Sequence, residues 1–259
     1  MTLLPDITRR ECLRYLSGTL IYPGQVFTGT LMHKKLPPVV RQLPRDKYAR
    51  EEVAITIDDC WSPDSVEKML DVAEEKKVAL TLFPVGLVLV NEKHRKQLER
   101  AAEMGCYFGN HTYGHRRLAE LSSEEVKEEV RSGYQALRDN LPAKQLLPIL
   151  RPPCGSYSQD VADALADLAE VKAVVLWSFE SQGARYTGGV GGQNDIEQQL
   201  QRQIERMGSR SLILLHAIAN DADIFTWLIR FLQESGYKPR DLKRLAVEWE
   251  DPEWVEARP

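Results

Sequence analysis

The sequence has no long apolar run, no basic excess and no paired cysteines, and each absence excludes a class of protein. No stretch is long and apolar enough to span a membrane as a helix. The formal net charge of -4 gives no support for a nucleic-acid partner, which usually shows as a basic face. The four cysteines are scattered with no CxxC, so neither a zinc finger nor a disulfide framework is suggested. What remains is ordinary globular composition. The 259 residues, 43% hydrophobic and 28% charged, suffice for one large domain or two small ones.

The N-terminal part reads differently from the rest. "TRRECLR", residues 8–14, resembles a twin-arginine export motif, with Cys12 where an apolar residue is usual. The stretch after it is only mildly apolar, is interrupted by Pro23-Gly24, and lacks an A-x-A cleavage site. Two readings stand: an export signal, placing the protein in the cell envelope or outside, or an amphipathic segment of a cytoplasmic protein. Residues 1–50, rich in Pro, Arg and Lys around "KKLPPVVRQLPRDK", read as an extension, and residues 51–259 as the domain.

From residue 53 onward, apolar runs alternate with helical patterns. The runs are 53–58, 78–83, 106–109, 146–150, 172–179 and 211–215. Ser62-Pro63 reads as an N-cap with Pro at the first helical position. Val66, Met69, Leu70 and Ala73 then share one face. Ser122 and Glu125 make a capping box ahead of Val126, Val130, Tyr134 and Leu137. Ser158 opens another helix, Asn194 or Asp195 the next, and Phe225, Leu228, Ile229 and Leu232 mark a last one. Gly105 and Gly236 stand where helix ends favour glycine. Such alternation predicts a mostly parallel sheet, closed or nearly closed into a barrel. A seventh strand within 237–247 is weak, because Pro239 and many charges interrupt it.

In barrels of this kind chemistry gathers at the C-terminal ends of the strands. There the sequence is unusual. "VAITIDDC" ends its first strand in Asp58 and Asp59, although lone charges are costly to bury. "NHTYGH" puts His111 and His115 four apart after the third strand, "LRPPCGSY" follows the fourth with Arg151, and "LLHA" ends the sixth with His216. The remaining histidines, His33 and His94, sit in polar surroundings and read as solvated. Any one rim residue alone is a commonplace. Two carboxylates, three imidazoles and a guanidinium together have no packing rationale. Two imidazoles at i, i+4 on a helical turn plus one carboxylate make a three-ligand site for a metal such as zinc. The second carboxylate is then free to act as a general base.

These motifs resemble the polysaccharide deacetylases of carbohydrate esterase family four, the NodB-homology domain. That family runs T-[FI]-D-D-G, H-[ST]-x-x-H, R-P-P-[YF]-G, an acidic segment with Trp, then L-x-H. The sequence offers "TIDDC", "HTYGH", "RPPCG", "LWSFESQG" and "LLH" in the same order, over roughly residues 51–245. The resemblance implies an α/β fold, a distorted (β/α)7 barrel. It implies a divalent metal, zinc first and otherwise cobalt, nickel or manganese, on Asp59, His111 and His115. It makes Asp58 the base, Arg151 its ion-pair partner, the N–H of Cys154 an oxyanion donor and His216 the acid for the leaving amine. The implied partner is an acetylated glycan, such as peptidoglycan or a chitin-like chain.

The departures are specific. Cys60 stands for the family's Gly, so the turn must accept a Cβ, and Cys154 stands for an aromatic residue. Two small half-buried thiols, a disulfide between them, or a thiol reaching the metal are the readings this leaves. In the fourth motif Glu180 stands for the first Asp, and Gly183 and Ala184 for an Asp-Trp pair that supports the catalytic histidine. Glu180, Asp221 or Asp223 are candidates to replace that support. The glycine-rich 183–195 stretch lacks the phosphate-loop pattern and reads as a connection or a lid. Two other functions stay open: amide or cyclic-imide hydrolysis on a non-sugar, and a glycan-binding relic without turnover.

Overall fold

The computed structural model describes residues 36–181, 183 and 193–246. The arginine motif of residues 8–14 and most of the glycine-rich stretch lie outside the described residues. Among the described residues, nine strands form one sheet: β1 (Val39–Val40), β2 (Glu52–Asp59), β3 (Thr81–Pro84), β4 (Tyr107–Asn110), β5 (Leu146–Leu150), β6 (Ala173–Val175), β7 (Phe179–Glu180), β8 (Leu212–His216) and β9 (Lys238–Arg240). Their order is β1-β6-β5-β4-β3-β2-β8-β7, with β9 beside the first residues of β2, and every ladder is parallel. The sheet is curled. An antiparallel bridge from Gln42, just after β1, to Ser211, just before β8, draws the two sides of the curl together, backed by Leu43 N–H donating to Arg210 O at 2.8 Å. This is the distorted barrel that the alternation predicts.

Period-2 alternation sorts the strand residues between two faces. Val53, Ile55 and Ile57 of β2 pack with the helices, as do Leu146 and Leu150 of β5 and Ile213 and Leu215 of β8. Ala54, Leu147, Ile149, Val175 and Leu212 belong to a second cluster on the opposite face, inside the curl. Thr56 and Asp58 follow Ala54 on that inner face. Register then brings the functional ends level: Asp58 pairs with Phe83 on one side and with His216 on the other.

The helices α1 (Pro63–Lys76), α2 (Glu92–Glu103), α3 (Ser123–Asn140), α4 (Gln159–Leu165), α5 (Gln193–Met207), α6 (Ala219–Glu234) and the short α7 (Lys243–Ala246) follow the strands. Ser62 accepts from Ser65 N–H at the start of α1, and Ser122 with Glu125 closes a full capping box on α3. The predicted faces of α1, α3 and α6 are buried. No helix among the described residues is long and apolar enough to cross a membrane.

Three local expectations are corrected, and one helix is barely announced by the sequence. Residues 36–50 are not all extension: β1 pairs with β6, and Leu43 and Tyr48 are buried in the inner cluster. The prolines that make this stretch look like a linker confine it to a two-residue edge strand, where a missing N–H costs nothing. The run 172–179 is two strands, because Ser178 turns its hydroxyl to Arg41 O at 2.8 Å and accepts from Leu212 N–H at 3.0 Å. Helix α5 already includes Gln193, ahead of the expected cap. Helix α2 is implied in the sequence only by Gly105 beyond its end, because it buries just Leu98, Ala101 and Ala102.

Candidate active site

The floor of the site is a buried ion pair. Arg151, just beyond β5, is fully buried, and its Nη1 donates to Asp58 Oδ1 at 2.6 Å and to Thr56 Oγ1 at 2.8 Å. Its Nε donates to Val175 O at 3.1 Å and its Nη2 to Leu176 O at 3.2 Å. The guanidinium lies 4.1 Å from the Phe83 ring centroid. Burial pushes the Arg151 pKa down from its ordinary value, and Asp58 opposes that shift. A guanidinium so fully bonded holds its partner carboxylate in one orientation.

The chain leaves β2 through a tight turn. Cys60 N–H donates to Asp58 O at 2.8 Å across Asp59, whose φ is +67°. A three-residue turn with positive φ at its centre is the rare, strained γ-turn. It answers why two adjacent aspartates end this strand. In regular strand they would face opposite sides; here Asp58 stays on the inner face while Asp59 is redirected to the rim. Cys60 follows with φ +61°, so the Cβ is accepted in a left-handed conformation. Its thiol is buried, and desolvation with the charges of Asp59 and Asp58 pushes it well above the usual thiol range. Cys154 sits at φ +56° on the turn after Arg151 and is exposed. Both thiols are free, so the disulfide reading falls.

At the rim His111 Nε2 is 3.2 Å and His115 Nε2 3.1 Å from Asp59 Oδ1. The two imidazoles meet edge to face at 5.0 Å. They do not share a helical turn. Residues 111–117 form a loop shaped by side chains, with Thr112 at φ +63° and His115 at φ +60°. Asn110 Oδ1 accepts from Thr112 N–H at 2.8 Å, and Thr112 Oγ1 accepts from His115 N–H at 3.2 Å. Glu129 on α3 accepts from Gly114 N–H at 2.8 Å. Gly133 on the same helix leaves room for Asn110, since a Cβ there would lie 2.3 Å from its Oδ1. Local side-chain bonding, not helix geometry, sets the i, i+4 spacing.

These three side chains fit a divalent metal. Their donor atoms lie within 4.8 Å of one another. His111 Nδ1 faces the carbonyl of Arg151 at 2.7 Å, so Nδ1 carries the proton and Nε2 presents a lone pair to Asp59. Asp59 Oδ1 is buried and has no hydrogen-bond partner. Lone pairs aimed at an unpartnered carboxylate oxygen call for a cation between them. The electrostatics agree. Burial opposes ionisation of Asp59, yet the neighbouring imidazoles hold it well below the usual carboxylate range. Burial pushes His111 down, and the charges of Asp58 and Asp59 raise it above its ordinary value.

On the other wall His216 ends β8. The carboxylate beside it is Asp221 from the first turn of α6: Oδ2 accepts His216 N–H at 2.7 Å and lies 3.9 Å from Nδ1. Glu180, the stand-in suggested by motif position, is half-buried on β7 in register with Leu214. Asp223 instead pairs with Lys68. His94, read as solvated, is half-buried with Nε2 at 2.9 Å from Trp61 O. Trp61 itself is 43% exposed with its ring edge-on to His115 at 6.4 Å. Sequence reasoning missed Thr56, Asn110 and Glu129. Only the period-2 relation of Thr56 to Asp58 signalled any of them.

Comparison with known proteins identifies the class. Residues 45–172 match the polysaccharide deacetylase family. The chain is 26% identical over 223 residues to a chitooligosaccharide deacetylase of Bradyrhizobium sp., covering 80% of this chain and 95% of that protein. It is 32% identical over 113 residues to a peptidoglycan-N-acetylglucosamine deacetylase of Bacillus cereus, which is 44% of this chain and 40% of that one. In three dimensions it resembles a CE4 family pseudoenzyme from Bacillus anthracis (TM-score 0.68, 19% identity, covering 82% of this chain and 70% of that one). It likewise resembles a peptidoglycan N-acetylglucosamine deacetylase (TM-score 0.66, 23% identity, covering 80% and 91%). These matches support a NodB-type polysaccharide deacetylase domain in this chain.

Proposed function

We propose that the protein is a metal-dependent hydrolase that removes N-acetyl groups from an acetylated glycan of the peptidoglycan or chitin type. The observation that carries this reading is the Arg151-bound Asp58 carboxylate beside the Asp59–His111–His115 cluster, with His111 Nε2 3.7 Å from Asp58 Oδ2. Asp59, His111 and His115 hold the metal, zinc in the first place. That ion, when bound, supplies Lewis acidity toward the acetyl carbonyl.

The chain's own residues do the rest. Asp58 takes the proton of the attacking water, and the Arg151 guanidinium holds it in place. The N–H of Cys154 donates to the developing oxyanion. His216 delivers a proton to the leaving amine. Acetate and a free amino sugar are the products. Glu180, in register with Leu214 on β7, acts by its charge on the Asp221 carboxylate. Support comes from the family match and from the names of the relatives, which act on chitooligosaccharides and peptidoglycan.

The test is acetate release by the purified protein supplied with zinc or cobalt, with and without chelator. Chitin oligomers, peptidoglycan fragments and acetylxylan are offered in parallel. Chelator-sensitive release from one of the N-acetylated glycans supports the reading. Release from acetylxylan alone makes the protein an O-acetyl esterase. No release from any, with metal bound, moves it to a non-sugar amide hydrolase or a binding relic.

A further inference from the structure

Asp221 is a fully buried carboxylate with an incomplete set of partners. Its Oδ2 accepts His216 N–H at 2.7 Å, which ties it to the end of β8. Its other oxygen, Oδ1, is buried and has no hydrogen-bond partner, and the same holds for His216 Nδ1. The two side chains approach to 3.9 Å, Nδ1 to Oδ2. Burying a carboxylate is costly, and packing alone never calls for one. Catalytic hydrogen bonds are often long before substrate arrives and tighten in the complex.

Residue 183 adds an independent observation. A Cβ built on Gly183 would lie 2.1 Å from Asp221 Oδ1, far inside any van der Waals contact. The φ of Gly183 is not in the left-handed region, so the backbone does not demand glycine. Space does. The Gly183 peptide is fixed on both sides: its N–H donates to Ser181 Oγ at 3.1 Å, and its carbonyl accepts from Asn220 Nδ2 at 2.9 Å. Ser181 also bonds the Asp221 carboxylate, and Glu180 is the other charged group acting on it.

We infer that Asp221 is the positioning residue for His216, and that residue 183 is glycine because the Asp221 carboxylate fills the space of its side chain. This rests on the proposed role of His216 as the acid. Asp221 accepts the Nδ1 proton of His216, which fixes the tautomer and leaves Nε2 as the nitrogen that exchanges a proton with the leaving amine. The supporting carboxylate reaches His216 from the helix after β8, not from the loop after β7.

The experiment compares wild type with Asp221→Asn, Asp221→Ala, Gly183→Ala and the Gly183→Ala/Asp221→Ala pair, all zinc-loaded. Two substrates are used: an N-acetylated glycan oligomer, whose amine must be protonated to leave, and an aryl acetate, whose phenolate leaves without a proton. Asp221→Asn should lower kcat on the oligomer roughly 10–100-fold with KM unchanged. Aryl acetate hydrolysis should change by less than about 3-fold, since it needs no general acid. Gly183→Ala, which keeps Asp221 but displaces its carboxylate, should show the same split. In the Asp221→Ala background it should add nothing. Imidazole 15N shifts give a readout without turnover: the proton sits on Nδ1 of His216 in wild type and moves to Nε2 in Asp221→Asn. Equal losses on both substrates, additive losses in the pair, or an unchanged tautomer overturn the inference. An inactive wild type would instead count against the proposed function, and the tautomer would still decide the pairing.

Discussion

Arg151 and Asp58 meet at 2.6 Å at the base of the cleft, and the guanidinium spends its other donors on Thr56 and on the carbonyls of Val175 and Leu176. One buried side chain thus ties β5, β6 and the loop after it to the base proposed for the reaction. A point charge could not do this. Only the planar fork of arginine serves several acceptors at once.

Arg151→Met should therefore damage both stability and activity. It leaves Asp58 buried and uncompensated, a change that costs about 3–5 kcal/mol. Denaturant unfolding measures the loss, and a variant as stable as wild type would contradict the buried pairing. Arg151→Lys should recover part of the stability and little of kcat.

Asp58→Asn should abolish turnover while retaining metal, because the cation cluster uses Asp59 and not Asp58. Metal stoichiometry by elemental analysis, beside acetate release, separates the two roles. His111→Ala should lose metal as well as activity. An Asp58→Asn variant that keeps its rate would show that another group takes the proton.

Trp61 presents a half-exposed ring beside His115 and plays no part in the core. Trp61→Ala should raise KM for the glycan several-fold and leave the melting temperature within a degree or two, as surface substitutions usually change stability by under about 0.5 kcal/mol. A fall in kcat alone would place the ring in the chemistry instead of in substrate holding.

Glu52 anchors the start of β2. Burial acts to raise its pKa, but Arg240, the Ala49 N–H and Arg244 outweigh it and hold the carboxyl down to about 2. A depressed carboxyl contributes stability above its unfolded pKa of 4.5 and loses it as pH falls toward about 2. Glu52→Gln should lower the melting temperature at neutral pH and flatten its fall between those two values. An unchanged acid profile would show that the Arg240 and Arg244 pairs contribute nothing to folding.

Much of the fold was legible in sequence because its signals are local. The Ser62-Pro63 cap, the Ser122–Glu125 box and the period of Val53, Ile55 and Ile57 are set by neighbours a few residues apart. Strand β1 and helix α2 were harder. The first hides between prolines, and the second buries too few residues to show an apolar stripe. The His111–His115 spacing suggested a helical turn, whereas Asn110 and Thr112 side chains build a loop of the same reach. Gly183 and Ala184 read as the loss of support for His216. Of the candidate replacements, the structure brings Asp221, from the helix after β8, against Gly183.

The sequence by itself determined the strand–helix alternation, the polar strand ends and the family resemblance. Hydrophobic period, capping and motif order are properties of short stretches, and they survive without coordinates. Tertiary structure decided which atoms meet. The four-way bonding of Arg151 and the seating of Asp221 against Gly183 join residues from strands and loops far apart in the chain. Contacts of that kind follow from sheet order and register, which no local pattern specifies.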